Sequence, residues 1–134
     1  MAEVASNSVE EEFLWSCTLT GSSKEFTWAP RTSRIRMRRV WSDWGSSWVT
    51  PEHRLLIKKA MLMPSATAVS LIQVETEGYN KTKVVVPFVA MMGGRDYNSY
   101  IDLLIPKKAT FKLIQGEGPI SLVGSHCVDF YGYR

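Results

Sequence analysis

Alternation of apolar and polar residues is the feature of this sequence that most constrains its fold. Residues 13–19 follow it with one exception, Leu14; their other apolar positions are Phe13, Trp15, Cys17 and Leu19. A period of two is typical of a strand that is buried on one face. Similar runs follow, each bounded by turn residues, at 25–28, 54–63, 69–76, 83–92, 101–105, 109–114 and 120–123. About eight short strands without a long helix predict an all-β antiparallel sandwich, and a jelly roll is the form we expect.

One of these runs is apolar on both faces. Residues 83–92 hold Val84, Val85, Val86, Phe88, Val89, Met91 and Met92. A strand of a monomeric sandwich usually keeps one polar face, so the second apolar face predicts burial against another subunit, or else a position in a thick core. Pro87 interrupts the run and predicts an edge strand or a bulge, because proline cannot donate to a central ladder.

Size and composition exclude several classes of protein. A chain of 134 residues with 45% apolar and 22% charged residues is typical of one globular domain and not of a disordered chain. No apolar run is long enough to cross a membrane, and residues 1–12 lack the basic start and apolar stretch of a secretory signal. We therefore expect no membrane partner.

Motifs for catalysis or metal binding are absent from the sequence. It has no GxSxG, P-loop or HExxH pattern, so we do not expect an enzyme. The two cysteines and two histidines lack the spacing of a zinc site, and no cofactor is expected. Cys17 falls in an apolar-alternating strand and is predicted to be a small buried core residue.

The net charge of +3 conceals two segments of opposite charge. Residues 1–12 hold only acidic charges, at Glu3, Glu10, Glu11 and Glu12. Residues 31–54 hold six arginines against Asp43 and Glu52, and three of the five tryptophans fall there as well. We therefore divide the chain into an acidic, flexible N-terminus at 1–11 and a core domain at 12–134, with a basic, Trp-rich insertion at 31–52.

The insertion carries two conflicting periodicities and three possible roles. Residues 34–38 alternate like a strand, whereas Met37, Trp41, Trp44 and Trp48 follow a helical spacing. One role is binding of a nucleic acid or an acidic partner, as in single-strand binders that combine cations with aromatic rings. The residues for that role would be Arg34, Arg36, Arg38, Arg39, Trp41, Trp44 and Trp48. The alternatives are packing of the tryptophans against the sandwich or a neighbouring subunit, and a nuclear import signal at 34–39.

Four elements, in order along the chain, resemble the nucleoplasmin/nucleophosmin family. Residues 12–19 (EFLWSCTL) are similar to its first strand, which follows an acidic start, and 74–78 (VETEG) to its V-E-A-E-G turn. Residues 110–120 (TFKLIQGEGPI) resemble its strand–GSGPV–strand signature, and 124–126 (GSH) its G-x-H element. The resemblance covers residues 12–130 and is greatest to insect nucleoplasmin-like proteins. Gly116, Gly118 and Pro119 occupy the signature turn, where hairpin geometry explains the glycines better than a ligand does.

The resemblance implies a jelly-roll protomer, assembled as a homopentamer or as a decamer of two pentamers. Mixed pentamers with acidic paralogues are a separate hypothesis. It also implies a histone chaperone that binds core histones and assists chromatin assembly or remodelling, in the nucleus or alternatively in the cytoplasm. The family binds histones through an acidic loop between its second and third strands and through acidic tails. Here that loop is the basic insertion, and we expect a divergent, tail-less member. The residues left as candidates for histone binding are Glu3, Glu10, Glu11 and Glu12.

Overall fold

Ten strands build the part of the chain that the structure describes. The structure is a computed structural model that describes residues 10–30 and 51–129, and the backbone of 35–38 and 46–49. The strands are β1 (Glu10–Leu19), β2 (Glu25–Trp28), β3 (Ile35–Arg38), β4 (Ser46–Val49), β5 (Glu52–Leu62), β6 (Val69–Glu77), β7 (Lys83–Met92), β8 (Asn98–Ile105), β9 (Ala109–Gln115) and β10 (Ile120–Asp129). A 3₁₀ turn at Tyr79–Lys81 connects β6 to β7.

Eight of these strands form two four-stranded antiparallel sheets. Sheet A has the order β1-β10-β5-β8, and sheet B has the order β2-β9-β6-β7. The remaining two strands, β3 and β4, pair with each other in a separate hairpin. Leaving out the hairpin, this order is that of an eight-stranded jelly roll, which confirms the predicted fold class.

The core lies between the inner faces of the two sheets. Phe111 of sheet B is fully buried and packs against Trp15 of sheet A, with ring centroids 6.0 Å apart, and against Phe88, at 6.1 Å. Cys17 is 8% exposed, and burial raises the pKa of its thiol to about 11. The prediction that Cys17 is a core residue is therefore confirmed.

Pro87 explains the form of one sheet edge. β7 is the outer strand of sheet B, as the proline predicts. The register with β6 shifts at this point, because Ile72 pairs with Val89 while the next residue, Gln73, pairs with Pro87. Phe88 is left out of the pairing, so the edge position and the bulge predicted as alternatives both occur.

The structure moves several predicted boundaries and corrects one periodicity, and β8 begins at Asn98 where residue 101 was predicted. β1 begins at Glu10, so Glu10 and Glu11 belong to a strand and not to the flexible segment predicted for 1–11. β10 continues to Asp129, well beyond the predicted 120–123, and β5 begins at Glu52, inside the predicted insertion. The helical spacing from Met37 to Trp48 is wrong for its two ends, because these residues lie in β3 and β4. The alternation at 34–38 correctly predicted β3.

Gly124 allows β10 and β5 to approach each other closely. The pairing of these two strands shifts between Val123 and Gly124. A Cβ atom built on Gly124 would lie 1.9 Å from the carbonyl oxygen of Leu56 and 3.0 Å from the Cα of Ile57. Because both obstacles are backbone atoms of a central strand, the close approach requires glycine here.

We predict that Gly124→Ala destabilises the domain by about 3 kcal/mol, because β5 must move to admit the methyl group. The matched control is Gly94→Ala, which adds the same methyl group where no heavy atom lies within 4 Å. The control carries only the cost of a side chain at a φ of +83°, about 1 kcal/mol. Thermal and denaturant unfolding compare the two variants, and equal losses of stability would contradict the interpretation.

Candidate functional site

The acidic residues at the start of β1 make ion pairs within sheet A. Arg54 of β5 donates a hydrogen bond to the Glu10 carboxylate and lies 3.8 Å from an oxygen of Asp129. Lys58 Nζ lies 3.4 Å from Glu12 Oε2, and Ser125 Oγ donates to the same oxygen at 2.6 Å. The serine hydrogen bond, and then Lys58, lower the pKa of Glu12. Two of the predicted histone-binding carboxylates therefore already have cationic neighbours.

Glu11 differs from its two neighbours. It is exposed and makes no ion pair with any residue in the described part of the chain. Glu3, the fourth predicted carboxylate, lies outside the described residues. Among the described residues, Glu11 is thus the acidic side chain at the start of β1 that a basic partner can contact without displacing a lysine or arginine of the same chain.

A row of leucines crosses the outer face of sheet A. Strand pairing places Leu14, Ser125, Leu56 and Leu104 directly opposite one another, in that order, on the four strands β1, β10, β5 and β8. Leu14 is 86% exposed and Leu104 is 54% exposed, and Tyr100, also on β8, is 82% exposed. Aligned apolar side chains with this exposure are typical of a surface that is covered by a partner. We call the apolar residues of this surface, Leu14, Leu56, Leu104 and Tyr100, the leucine row.

A second exposed apolar surface lies on the edge of sheet B. Val84, Val85 and Val86 of β7 are 37%, 47% and 43% exposed. They precede the bulge at Pro87, and they belong to the run for which the sequence predicted two apolar faces. We call them the valine edge, and it differs from the leucine row in both sheet and residue type.

A groove of about 880 Å³ lies at the end of the sandwich from which the β3–β4 hairpin arises. The two segments that lead into and out of the hairpin contribute Pro30 and Pro51 to its wall. Its rim carries both charges, including Lys83, which lies 3.4 Å from Glu75, and Lys107, which lies 3.5 Å from Glu77. The remaining charged lining residues are Glu52, Arg54, Lys81 and Lys108.

Two histidines share a hydrogen bond beside this groove. His53 Nδ1 and His126 Nε2 are 2.9 Å apart, and the His126 ring packs edge-on against Trp28 with centroids 5.5 Å apart. Burial lowers the pKa of both imidazoles, and the charge of His53 lowers that of His126 further. His53 Nε2 is buried without a hydrogen-bond partner among the described residues. The lowered pKa values favour the neutral form of each ring, in which one nitrogen of the pair donates the hydrogen bond and the other accepts it.

Neither a metal cluster nor a membrane-spanning helix was found in the described ranges. No group of three or more histidine, cysteine, aspartate or glutamate side chains there is arranged to hold a metal ion. None of the helical segments in those ranges has the length and apolar character needed to cross a membrane.

Comparison with known proteins assigns the chain to a family. The model of the nucleoplasmin/nucleophosmin domain matches residues 12–130. The chain belongs to the nucleoplasmin/nucleophosmin family. This confirms the resemblance that the four sequence elements indicated.

The relatives of this nucleoplasmin-family chain include two echinoderm proteins. It is 28% identical over 123 residues to the nucleoplasmin-like protein ANO39 of Patiria pectinifera, and 28% identical over 121 residues to the mitotic apparatus protein p62 of Lytechinus pictus. These matches cover 90% and 89% of this chain but only 34% and 28% of the relatives. The chain therefore spans about a third of the length of the curated relatives that it matches.

A solved structure shows the same fold. The crystal structure of the Drosophila NLP core, described as providing insight into pentamer formation and histone binding, superposes with a TM-score of 0.62 at 24% identity. The match covers 85% of this chain and 97% of that one. The nucleoplasmin core fold is thus shared, even though three quarters of the aligned residues differ.

The signature turn of the family has a structural role here. Gly116 has a φ of +84°, and a Cβ built on it would lie 2.2 Å from the carbonyl oxygen of Val69. The carbonyl oxygen of Pro119 accepts a hydrogen bond from the backbone N–H of Met63 at 3.0 Å. Gly118, with a φ of +63°, completes the connection from β9 to β10. These contacts agree with the interpretation of the glycines as hairpin geometry.

The residues predicted to bind nucleic acid or an acidic partner are described only in part. Arg36 and Arg38 lie on β3 and Trp48 lies on β4. The others, Arg34, Arg39, Trp41 and Trp44, lie outside the described residues. No role for His53 could be predicted from the sequence, because its partner His126 is 73 residues away and neither residue belongs to a metal-binding pattern.

The histidine pair predicts a loss of stability in acid. Since both folded-state pKa values lie below the ordinary value for histidine, the unfolded chain takes up protons first as the pH falls. The stabilisation is present above about pH 6.5 and is lost below it. We predict that the melting temperature of the parent falls more between about pH 8 and pH 5 than that of His53→Phe/His126→Phe.

The double variant keeps aromatic rings at both positions and also keeps Arg54 and Asp129, the charged neighbours on β5 and β10. Histidine NMR titration of the parent gives the two pKa values independently. Equal acid sensitivity of parent and variant, or imidazoles that titrate at ordinary values, would show that the pair does not contribute to the pH dependence.

Proposed function

We propose that this chain is the oligomeric core of a histone chaperone, which binds core histones in the nucleus and assists chromatin assembly or remodelling without enzymatic activity. The observation that carries the proposal is the presence of two separate apolar surfaces, the leucine row and the valine edge, on a nucleoplasmin-family fold. The pentamer formation and histone binding described for the Drosophila core support a pentamer as the form of assembly and histones as the class of partner.

Two unlike surfaces favour a ring. A two-fold dimer buries the same surface of both subunits, whereas a closed ring joins one surface of each subunit to a different surface of the next. The leucine row lies on the outer face of sheet A, and the valine edge borders sheet B. Contact between these surfaces leaves neither of them unpaired when the ring closes. A pentamer is the form that we propose, and a decamer is two such rings.

Histone binding in this proposal depends on repetition of weak acidic sites. Exposed ion pairs such as Glu12–Lys58 contribute little to stability because water screens them, so lysines and arginines of a histone compete for these carboxylates at little cost. Five copies of Glu3, Glu10, Glu11 and Glu12 in one ring act together on an extended basic partner. Because the relatives are about three times longer than the match, acidic segments of a whole protein or of acidic paralogues are compatible with the same ring.

The decisive experiment is the native mass of the assembly, alone and with core histones, at about 0.15 M and about 1 M salt. A particle of five times the 15.2 kDa chain mass that binds histones only at the lower salt concentration would support the proposal. A stable monomer would contradict the ring, and a pentamer that does not bind histones at low salt would contradict the chaperone role.

For the ring, we predict that Leu104→Glu shifts the native mass towards the monomer, because it places a carboxylate in the leucine row at an interface that excludes water. The control is Ser22→Asp, which introduces the same charge in the exposed turn between β1 and β2. Circular dichroism checks that the variant monomer keeps its strands. A folded Leu104→Glu variant that assembles like the parent would exclude the leucine row from the interface.

For the histone surface, we predict that Glu10→Gln/Glu11→Gln/Glu12→Gln weakens histone binding at least several-fold and reduces its salt dependence, because it removes three carboxylates from each subunit. The matched control, Glu25→Gln/Glu77→Gln/Glu117→Gln, removes three accessible carboxylates elsewhere on the surface, of which Glu77 is ion-paired like Glu10 and Glu12. Binding is measured by calorimetry. Equal losses in the two triple variants would indicate a general charge effect and would rule out a specific site on β1.

A further inference from the structure

The β3–β4 hairpin is separate from the jelly roll. β3 and β4 form their own two-stranded sheet, and neither is hydrogen-bonded to another strand in the described ranges. The hairpin lies between Pro30 and Pro51, the two prolines that line the groove at the end of the sandwich. Its strands therefore form a ribbon that adds to neither sheet.

The register of the ribbon brings basic and aromatic positions together. Arg36 pairs with Trp48, and Arg38 pairs with Ser46. Directly paired residues of an antiparallel ladder belong to the same face, and so do residues two apart on one strand. Arg36, Arg38 and Trp48 thus share one face of the ladder. A helix with the spacing Met37, Trp41, Trp44 and Trp48 would have grouped Trp48 with the other tryptophans and not with Arg36 and Arg38.

The other face has a different chemistry. Ile35 pairs with Val49, and Met37 pairs with Ser47, so three of its four positions are apolar. The ribbon is amphipathic by register alone, and its cationic positions belong to a single face. The sequence between Pro30 and Pro51 contains five arginines and one acidic residue, Asp43, so the segment is strongly positive.

Two lysines extend the positive charge to the base of the ribbon. Lys81 and Lys108 line the groove and make no ion pair with other described residues, whereas Lys83 and Lys107 pair with Glu75 and Glu77. An anionic chain that reaches the ribbon would therefore meet cations at its base as well.

We infer that the β3–β4 ribbon binds single-stranded nucleic acid, with Arg36 and Arg38 on backbone phosphates and Trp48 stacked on a base. Cations that follow the backbone, combined with aromatic rings for the bases, are the chemistry that single-strand binders use. An acidic polypeptide would satisfy the arginines, but it offers no base to stack on Trp48, so the pairing of Arg36 with Trp48 favours a nucleic acid. This inference does not rest on the proposed chaperone function.

The test is fluorescence anisotropy with labelled oligo(dT) and oligo(U), a DNA duplex and polyglutamate as probes. We expect the parent to prefer the single-stranded probes. Arg36→Glu/Arg38→Glu should weaken binding at least tenfold and lower the slope of log affinity against log salt by about two, one for each phosphate contact. Trp48→Ala should weaken binding about tenfold and leave the slope unchanged, because stacking releases no counterions.

The control variant, Lys24→Glu/Lys112→Glu, makes the same change of charge at two exposed positions. Lys112 lies on sheet B, and Lys24 lies near the end of the sandwich opposite the groove. It should bind nearly as tightly as the parent. The native mass of every variant shows whether assembly is intact, which separates this inference from the chaperone proposal.

Three results would overturn the inference. The first is failure of the parent to bind the single-stranded probes. The second is equal loss of binding in the arginine and control variants, which would reflect net charge alone. The third is binding of polyglutamate as tight as that of oligo(dT), together with no effect of Trp48→Ala, which would identify an acidic protein as the partner.

Discussion

The pairing of β10 with both β1 and β5 is the interaction on which the other features of sheet A depend. Gly124 lets β5 approach at the shift in register, and the next residue, Ser125, aligns Leu14 with Leu56 and Leu104. The same strand brings His126 to His53 and Ser125 to the carboxylate of Glu12. A slip of one residue would move each of these side chains to the opposite face. The leucine row, the histidine pair and the contact of Ser125 with Glu12 therefore all depend on the register of β10 with its two neighbours.

Much of this fold could be predicted from the sequence, because alternation and turn residues are local signals. The period of two located the eight strands of the two sheets, and Pro87 located both an edge and a bulge. Leu14, the one exception to the alternation of β1, is the most exposed leucine of the leucine row. A break in a pattern was thus as informative as the pattern itself, because a partner surface requires apolar residues on the face that alternation keeps polar.

What the sequence could not show depends on pairs of residues that are distant along the chain. The partnership of His53 with His126, and of Arg54 with Glu10, follows from strand order, which no local period encodes. The boundary at Val123 was wrong because β10 continues through polar residues such as His126 that are satisfied only by neighbouring strands. The helical spacing in the insertion was wrong at its two ends, Met37 and Trp48, for a related reason. The helical interpretation depended on the number of residues between Met37 and Trp48 along the chain. In the structure, the pairing of β3 with β4 places Trp48 opposite Arg36 instead.

The start of β1 and the segments that lead into the hairpin lie at the same end of the sandwich, so the two oppositely charged segments of the sequence meet there. The net charge of +3 combines acidic residues that are partly neutralised at the start of β1 with arginines concentrated between Pro30 and Pro51. Both β1 and the segments leading into the hairpin reach the groove end of the sandwich, since Arg54 lines the groove and holds Glu10. A ring would repeat the acidic and the basic surface in equal number around one end. Repetition multiplies weak sites of either charge, so assembly would increase the affinity for a basic and for an anionic chain together.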